Sequence, residues 1–304
     1  MTKVPRKIHF FDLIGPGFIT AALVLGPGSL AVASKIGAIY EFRLLWIVPL
    51  CVVFMAALTI ISTRIGLSSD LTLIQLIRDK YGFFVCLIIG VGLFVVAASF
   101  QAGNSIGAGM VFSEWFGSPT APWVIAFSVF AIILLFFKSF FRILEKIMIA
   151  MVVLMLASFV ITLMISRPDL SALVSQFDFS LPGGSEFLAL ALVASSFSIA
   201  GAFYQSYLVQ EKGWKKENSK SHERESLSGI LILGIITSTV LLVAASVLYP
   251  QGIQVNSATE MAKTLEPIFG NYASVIFMMG LFAASFSSLI GNATLGGVLL
   301  SDAL

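Results

Sequence analysis

The sequence has 304 residues, of which 58% are hydrophobic and only 11% are charged. Soluble domains carry roughly 25% charged residues on average, so this composition excludes a soluble globular domain. The net charge of +2 is too small to indicate a nucleic-acid partner. Composition therefore predicts an integral membrane protein that is surrounded by the lipid bilayer.

Apolar stretches of the length needed to cross a bilayer, about 20 residues, recur along the chain. Eight qualify or nearly do: 13–38, 44–67, 84–111, 119–137, 143–166, 187–209, 227–249 and 273–301. The first is too long for a signal-peptide core and has no small-residue cleavage pattern, which favours a retained span. The pattern predicts an all-α membrane bundle of about eight spans, as one transmembrane domain over residues 1–304.

The positive charges predict the orientation, because cytoplasmic loops are enriched in Lys and Arg. If the N-terminus lies in the cytoplasm, 14 of the 18 Lys and Arg residues fall inside. Four fall outside: Lys35, Arg43, Arg167 and Lys263. An even number of spans then predicts that both termini of this chain are cytoplasmic, in a multi-pass protein of the inner or plasma membrane.

The polar side chains in the middle of the predicted spans are neutral, and the nearest acids, Glu114 and Glu145, lie at span ends. The two histidines are far apart in the sequence and make no metal site. Cys51 and Cys86 lie in apolar segments and are interpreted as packing residues. No nucleophile–base pattern is visible, so the sequence predicts no enzyme and no cofactor.

Two spans carry helix-breaking or small polar residues at their middle. The first contains Gly26-Pro27-Gly28-Ser29, where proline removes a backbone donor and glycine eases unwinding. The sixth contains Ser195 to Gly201, a run of hydroxyl and small residues that suits either a second break or close helix packing. The first and sixth spans are corresponding positions of a five-plus-five inverted repeat, which favours a binding site at two breaks over a kink without function.

Other polar positions allow more than one interpretation. Gln101 and Asn104 in the third span share a helix face. They could form a polar wall beside the site, or they could hydrogen-bond to a neighbouring helix. In the eighth span, hydroxyl or amide ligands could come from Ser285, Ser287, Ser288 and Asn292, although close helix packing is the favoured interpretation. The charged run 212–225 is predicted to be a solvated cytoplasmic loop.

Several segments, in order along the whole chain, resemble the Nramp family of divalent-metal transporters. They are Gly15-Pro16-Gly17-Phe18, Gly26-Pro27-Gly28-Ser29, Gly37-Ala38, Leu44-Leu45-Trp46, Arg64-Ile65-Gly66, Leu144-Glu145-Lys146, Leu208-Val209-Gln210, Ala262-Lys263-Thr264-Leu265-Glu266-Pro267 and Gly280-Leu281-Phe282-Ala283-Ala284. The resemblance implies the inverted-repeat, LeuT-like helical transporter bundle, with repeat one near 13–166 and an incomplete repeat two near 187–304. Because such transporters have eleven or so spans, it also implies a truncated sequence without the C-terminal spans.

The departures from the family fall at its metal ligands. Gly26 and Ser29 stand where the family has the ligating Asp and Asn. The sixth-span motif Ala-x-x-Met-Pro-His falls on Ser195, Ser198, Ile199 and Ala200, and a second family histidine falls on Gln205. The third-span acids linked to proton movement fall on Gln101 and Asn104. A metal site there would lack carboxylate, thioether and imidazole ligands.

The expected function is Nramp-like secondary transport of a divalent cation by alternating access, with altered selectivity. The expected substrate site comprises Leu23, Gly26, Ser29, Ser195 and Ser198, with Leu23 and Ser195 offering backbone carbonyls and the other two serines offering hydroxyls. Gln101, Asn104, Ala200 and Gln205 would line it. Two alternatives remain open: transport of a small neutral or zwitterionic organic solute, and a non-transporting sensor or partner subunit.

Overall fold

A computed structural model describes residues 15–176, 179–214 and 219–304. Within these ranges the chain is almost entirely helical and contains no strand. The α-helices, numbered in chain order, are α1 (Pro16–Val24), α2 (Pro27–Tyr40), α3 (Ile47–Ser68), α4 (Leu73–Tyr81), α5 (Phe83–Phe116), α6 (Thr120–Phe136), α7 (Lys138–Ser166), α8 (Leu170–Ser175), α9 (Glu186–Ser196), α10 (Ile199–Glu211), α11 (Ser219–Val247), α12 (Ala258–Ala262), α13 (Glu266–Phe269) and α14 (Ala273–Ala303). Short 3₁₀ turns flank α12 and α13.

The helices confirm the predicted spans. Within the described residues, six helical stretches are long and apolar enough to cross a membrane, and the bent pair α1–α2 makes a seventh. The remaining predicted span, 119–137, is α6, whose 17 residues lie at the lower end of the length that a span needs. Residues 13 and 14 of the first predicted span lie outside the described residues, as do Lys3, Arg6, Lys7, His9, Lys215 and Lys216.

The prediction of a loop over 212–225 is wrong in its second half, because α11 begins at Ser219. The first two turns of α11 therefore extend beyond the apolar part of the span. They are held against the end of α3, where Arg64 donates two hydrogen bonds to Glu223, from Nε and from Nη2, each 2.9 Å long. Charged side chains in this stretch thus pair across two helices as well as facing solvent.

α11 lies at the centre of the bundle and packs against α1, α2, α3 and α7, while α5 and α14 pack along each other. The approach of α1 to α11 is backbone to backbone. A Cβ atom at Gly229 would lie 2.2 Å from the carbonyl carbon of Gly17, and one at Gly17 would lie 2.5 Å from the Cα of Ser226. The N–H of Gly17 donates to Glu225 Oε2 at 3.3 Å, so a carboxylate stands at the positive end of α1.

Hydrogen bonds between the loops at span ends agree with the predicted topology. At one end, Gln210 donates to the carbonyl oxygens of Ser69 and Leu71 at 2.8 and 2.9 Å. At the other end, the N–H groups of Ala258 and Thr259 donate to the carboxylate of Glu114 at 2.8 and 2.9 Å. Each contact joins loops that were predicted to share one side of the membrane.

Candidate substrate site at two broken spans

The first span is broken where the sequence predicts it. α1 ends at Val24, α2 begins at Pro27, and the two helix axes differ by 62°. Gly26 is extended, with φ −116° and ψ 179°, and it precedes a proline that has no N–H to continue the helix. The break is buried at Leu25, Gly26 and Pro27, so its freed backbone groups need partners inside the protein.

Ser29 satisfies part of this need. Its hydroxyl donates to the Gly26 carbonyl oxygen at 2.8 Å and accepts from the Gly26 N–H at 3.2 Å. The side chain is 3% exposed, and it caps the start of α2. Because a hydroxyl oxygen has two lone pairs, one acceptor position of Ser29 remains available to a ligand.

Side chains of α14 bind the carbonyl groups that α1 leaves free. Asn292 donates to the carbonyl oxygen of Leu23 at 3.1 Å, and Ser288 lies 3.3 and 3.4 Å from those of Ala22 and Leu25. The favoured interpretation of Ser288 and Asn292 as contacts between helices fits these bonds: the break needs hydrogen-bond donors, and these two side chains supply them. The Leu23 carbonyl keeps one lone pair beyond its bond to Asn292.

The sixth span is also broken, although it has no proline. α9 ends at Ser196, Phe197 and Ser198 are extended, and α10 begins at Ile199. Ser198 is the N-cap of α10, and its hydroxyl accepts from the N–H of Gly201 at 3.1 Å. This local bond stabilises the break in the way that the Ser29 hydroxyl stabilises the first one.

The two breaks are neighbours in space. A Cβ atom at Gly201 would lie 3.4 Å from a methyl carbon of Val24, the last residue of α1. Near the second break, the half-buried Ser195 donates to the Leu192 carbonyl oxygen at 3.2 Å. The hydroxyl of Ser196 is buried and has no hydrogen-bond partner in the part of the chain that the structure describes. The hypothesis of a second unwound stretch beside the first is therefore confirmed in its geometry.

Asn104 on α5 forms a wall of the first break. It is 2% exposed, and its Oδ1 lies 2.8 Å from the position that a Cβ atom at Gly26 would take. Its Nδ2 is buried with no partner among the described residues. One turn further on, a Cβ at Gly107 would lie 2.5 Å from the ring of Pro27, so α5 packs directly on the break.

Two other predicted lining residues, Gln101 and Ala200, differ in how deeply they are buried. Gln101 is half-buried, and its Oε1 has no partner within the part of the chain that is described. Ala200 is 1% exposed in an apolar cluster that contains Leu23 and Leu295. Position 200 therefore contributes apolar packing and no polar side chain.

Gln205 is fully buried in a network that the sequence did not predict. Its Oε1 accepts from Thr20 at 2.6 Å, and its Nε2 donates to Thr63 at 3.2 Å and to Ser226 at 2.9 Å. Thr63 in turn donates to Ser226 at 3.0 Å, and Ser226 donates to the carbonyl oxygen of His222 at 2.9 Å. The network joins α1, α3, α10 and α11, and it fixes the half-helices on both sides of the site.

The chemistry of the site is that of neutral oxygen atoms. Across the described ranges, no group of three His, Cys, Asp or Glu side chains could hold a metal ion. The groups at the breaks are hydroxyls, carboxamides and backbone carbonyls. Such hard oxygen donors suit Mg²⁺, Ca²⁺ and Mn²⁺ better than softer transition metals, but they add no negative charge.

Comparisons with known proteins agree with this architecture. The family model described as "Natural resistance-associated macrophage protein-like" matches residues 17–304. A protein of Yersinia pestis (strain Pestoides F) named "Divalent metal cation transporter MntH" is 26% identical over 301 residues, which is 97% of this chain and 73% of that protein. A protein of the same name from Pectobacterium carotovorum is 26% identical over 306 residues, 98% of this chain and 74% of its own.

The fold is that of a solved transporter. A crystal structure of the Eremococcus coleocola manganese transporter, in complex with an aromatic bis-isothiourea compound, superposes with a TM-score of 0.77 at 18% identity. The match covers 100% of this chain and 68% of that one, and a second structure of the same transporter gives 0.73 at 19% identity. The predicted LeuT-like helical bundle is confirmed. Since the family model covers almost the whole sequence, the chain belongs to the natural resistance-associated macrophage protein (Nramp) family.

Proposed function

We propose that this protein moves a divalent metal ion across the membrane by alternating access, with the ion held at the two broken spans. Family membership supports this function, and so do the relatives named as divalent metal cation transporters. Neither the organic-solute alternative nor the non-transporting alternative gains support from these relatives.

One observation carries the proposal: the first and sixth spans break side by side, and the first break has open space beside Gly28. Gly28 is exposed, and a Cβ atom placed on it would meet no atom within 4 Å. Discontinuous helices at mid-depth are the usual construction of a transporter binding site. Large side chains would be expected to close this space in a protein that had lost transport.

The proposed ligands are oxygen atoms at the two breaks. The carbonyl groups of Leu23 and Ser195 and the hydroxyls of Ser29 and Ser198 would face the ion, at the break that Gly26 opens in the first span. The neutral lining would be formed by Gln101, Asn104, Ala200 and Gln205. Ser29 and the Leu23 carbonyl each retain a lone pair after their bonds inside the protein, which supports their inclusion.

Selectivity would differ from that of a site with carboxylate, thioether and imidazole ligands. Without sulfur or nitrogen donors, the site has no basis for preferring manganese or iron over magnesium by ligand softness. A charged side chain at the bilayer centre costs about 2.5 to 3.5 kcal/mol even on lenient scales, so a dehydrated divalent ion needs compensation at this depth. We therefore expect weak discrimination among hard divalent ions.

The proposed topology follows the positive charges of the loops. Both termini of this chain would be cytoplasmic in an inner or plasma membrane. Residues 13–166 would form repeat one of a single transmembrane domain, and residues 187–304 would form the part of repeat two that this chain contains. The break in α1–α2 and the break in α9–α10 would then occupy corresponding positions of the two repeats.

Manganese influx into liposomes that contain the purified protein tests the function, with a trapped metal-sensitive dye as the readout. We expect saturable influx, which Gly28→Leu abolishes by filling the open space at the first break. Gly92→Leu is the matched control, because a Cβ at Gly92 on α5 also meets nothing within 4 Å but lies away from the breaks. Folded protein without influx above empty liposomes would refute metal transport.

A further inference from the structure

Three hydrogen bonds converge on one carboxylate near the end of α14. Tyr207 on α10 donates to Asp302 Oδ2 at 2.5 Å, and Gln75 Nε2 donates to Asp302 Oδ1 at 3.0 Å. The hydroxyl of Thr72, the N-cap of α4, also donates to Asp302 Oδ2. We call these four side chains the Asp302 clasp, because they join α4, α10 and α14 at one point.

An apolar cluster lies between the broken spans and the clasp. It begins at the breaks and follows α14, and its buried members include Leu23, Ala200, Leu295, Leu299 and Ala303. Asn292, which bonds to the first break, comes ten residues before Asp302, so about 15 Å of α14 separates the breaks from the clasp. Since a closed apolar constriction excludes a hydrated ion, the site is shut on this side, whereas Gly28 beyond the first break is exposed.

The clasp connects two groups of helices. Gln205, two residues before Tyr207, joins α10 to α1, α3 and α11. α14 instead packs along α5, where a Cβ atom at Gly90 would lie 2.1 Å from the Cβ of Ala303, next to Asp302. Alternating access moves one group of helices against the other around the site. Any movement that separates α10 from α14 at this end must break the bond between Tyr207 and Asp302.

The surroundings of the clasp allow it to open. A cavity of about 440 Å³ lies beside it and is lined by Thr72, Tyr207, Ser301 and Asp302, among other residues. Tyr207 and Asp302 are half-buried, and Ser301 is exposed. Water that enters from this cavity can bond to both partners when they separate, so opening leaves no buried polar group without a partner.

We propose that the Asp302 clasp is the gate on the cytoplasmic side of the transport pathway, held shut by the bond from Tyr207 to Asp302. While this bond is made, α10 is fixed against α14 and the apolar cluster stays closed. When it breaks, the group of helices that contains α10 moves away and the ion leaves towards the cytoplasm. Both residues position helices and do not touch the ion. The inference rests on the proposed metal transport and topology, and it names the residues that control release.

Cross-linking the clasp tests whether it must open. Tyr207→Cys and Asp302→Cys are combined in protein that carries Cys51→Ala and Cys86→Ala, and a short bifunctional methanethiosulfonate reagent joins the two new thiols. Because alternating access requires the helix groups to separate, manganese uptake into proteoliposomes should fall by about tenfold or more and should return when a reductant cleaves the link. Each single cysteine variant, treated with the same reagent, is the matched control and should keep its uptake.

Tyr207→Phe weakens the clasp by removing one hydroxyl, and the native Cys86 reports the opening. Cys86 is 0% exposed in the apolar cluster, and its Sγ lies 3.7 Å from the carbonyl oxygen of Ile74 and 3.9 Å from that of Ala303. Loss of one hydrogen bond to a carboxylate should raise the rate at which a membrane-impermeant thiol reagent modifies Cys86 by about fivefold.

Tyr204→Phe is the matched control for this labelling. The Tyr204 ring stacks on that of Tyr207 with 6.0 Å between centroids, but among the described residues its hydroxyl makes no hydrogen bond to α14. Labelling of Cys86 should therefore stay at its original rate in Tyr204→Phe. Cys51, which is buried in a different cluster, should label at an unchanged rate in both variants.

The outcomes separate the gate from the transport function. Unchanged uptake after complete cross-linking would overturn the gate and leave metal transport standing. Equal labelling of Cys86 in Tyr207→Phe and Tyr204→Phe would also overturn the gate, and this comparison decides alone if the cysteine pair does not fold. Absence of manganese uptake by the unaltered, folded protein would refute metal transport and the gate with it.

Discussion

Replacing Gln205 with leucine tests whether the buried network holds the four helices around the site together. The substitution keeps a side chain of similar size and removes three hydrogen bonds, those with Thr20, Thr63 and Ser226. Thr63 and Ser226 remain bonded to each other, whereas the fully buried hydroxyl of Thr20 loses its partner.

The magnitude follows from these contacts. Side-chain hydrogen bonds inside membrane proteins average about 0.6 kcal/mol, so the three bonds amount to about 2 kcal/mol. The orphaned hydroxyl of Thr20 adds about 1 kcal/mol of uncompensated burial. We therefore expect the free energy of unfolding to fall by about 3 kcal/mol. Combining Gln205→Leu with Thr20→Val removes the orphaned hydroxyl, so the double variant should cost about 1 kcal/mol less than Gln205→Leu alone.

Reversible unfolding of the purified protein in mixed micelles, followed by circular dichroism against increasing denaturing detergent, measures these free energies. Gln251→Leu is the matched control. The exposed Gln251 side chain donates at 2.7 Å to the carbonyl oxygen of Val247, four residues earlier, so its loss removes only a local hydrogen bond. Equal midpoints for Gln205→Leu and Gln251→Leu would refute the argument that the network stabilises the bundle.

Three further changes have definite expectations. Gly17→Val should sharply reduce the yield of monodisperse protein in size-exclusion chromatography, since its Cβ would lie 2.5 Å from the backbone of Ser226, whereas Gly92→Ala should not reduce it. Ser198→Ala should lower the free energy of unfolding by about 1 kcal/mol through loss of the N-cap, and Ser198→Gly should cost only a few tenths; equal costs would contradict the capping role. Hydrogen bonds from Ser171 and Ala172 lower the pKa of Asp169 below its ordinary 3.8. The stability that this cap contributes is therefore fully present above pH 3.8, and it is lost as the pH falls through the lower pKa of the folded state. The protection of the Ser171 and Ala172 amides, measured as exchange relative to their intrinsic rates at each pH, should therefore fall only in strong acid, and protection that is already lost near neutral pH would contradict this assignment.

Hydropathy and proline placement predicted the spans and the first break, because both act within a few residues of the chain. The sequence alone did not decide whether the sixth span is broken, because a run of serines fits close helix packing as well as unwinding. Its signal was Ser198 with Gly201 three residues later, which is an N-cap and its N–H donor. The start of α4 carries a comparable signal, the capping box of Thr72 and Gln75.

The partners across helices could not be predicted. Thr20, Thr63 and Ser226 are single polar residues in three separate helices, and periodicity says only which face of its own helix each one occupies. Their convergence on Gln205 depends on how the helices are rotated and crossed in the bundle. The same reason explains why the sequence could not identify the partners of Ser288 and Asn292: their acceptors, the carbonyls of the first break, are more than 260 residues away in sequence.

The crossing of α1 and α11 at Gly17 has a mechanical consequence. Where two backbones already touch, no side chain can deform, so a tilt of α1 has its fulcrum at this point. Leu25 is eight residues further along, a lever arm of about 12 Å at the rise of an α-helix. A rotation of about 10° at the fulcrum thus displaces the first break by about 2 Å, roughly the length of a metal–oxygen bond. A small movement at one end of α1 is enough to assemble or dismantle the site at the other.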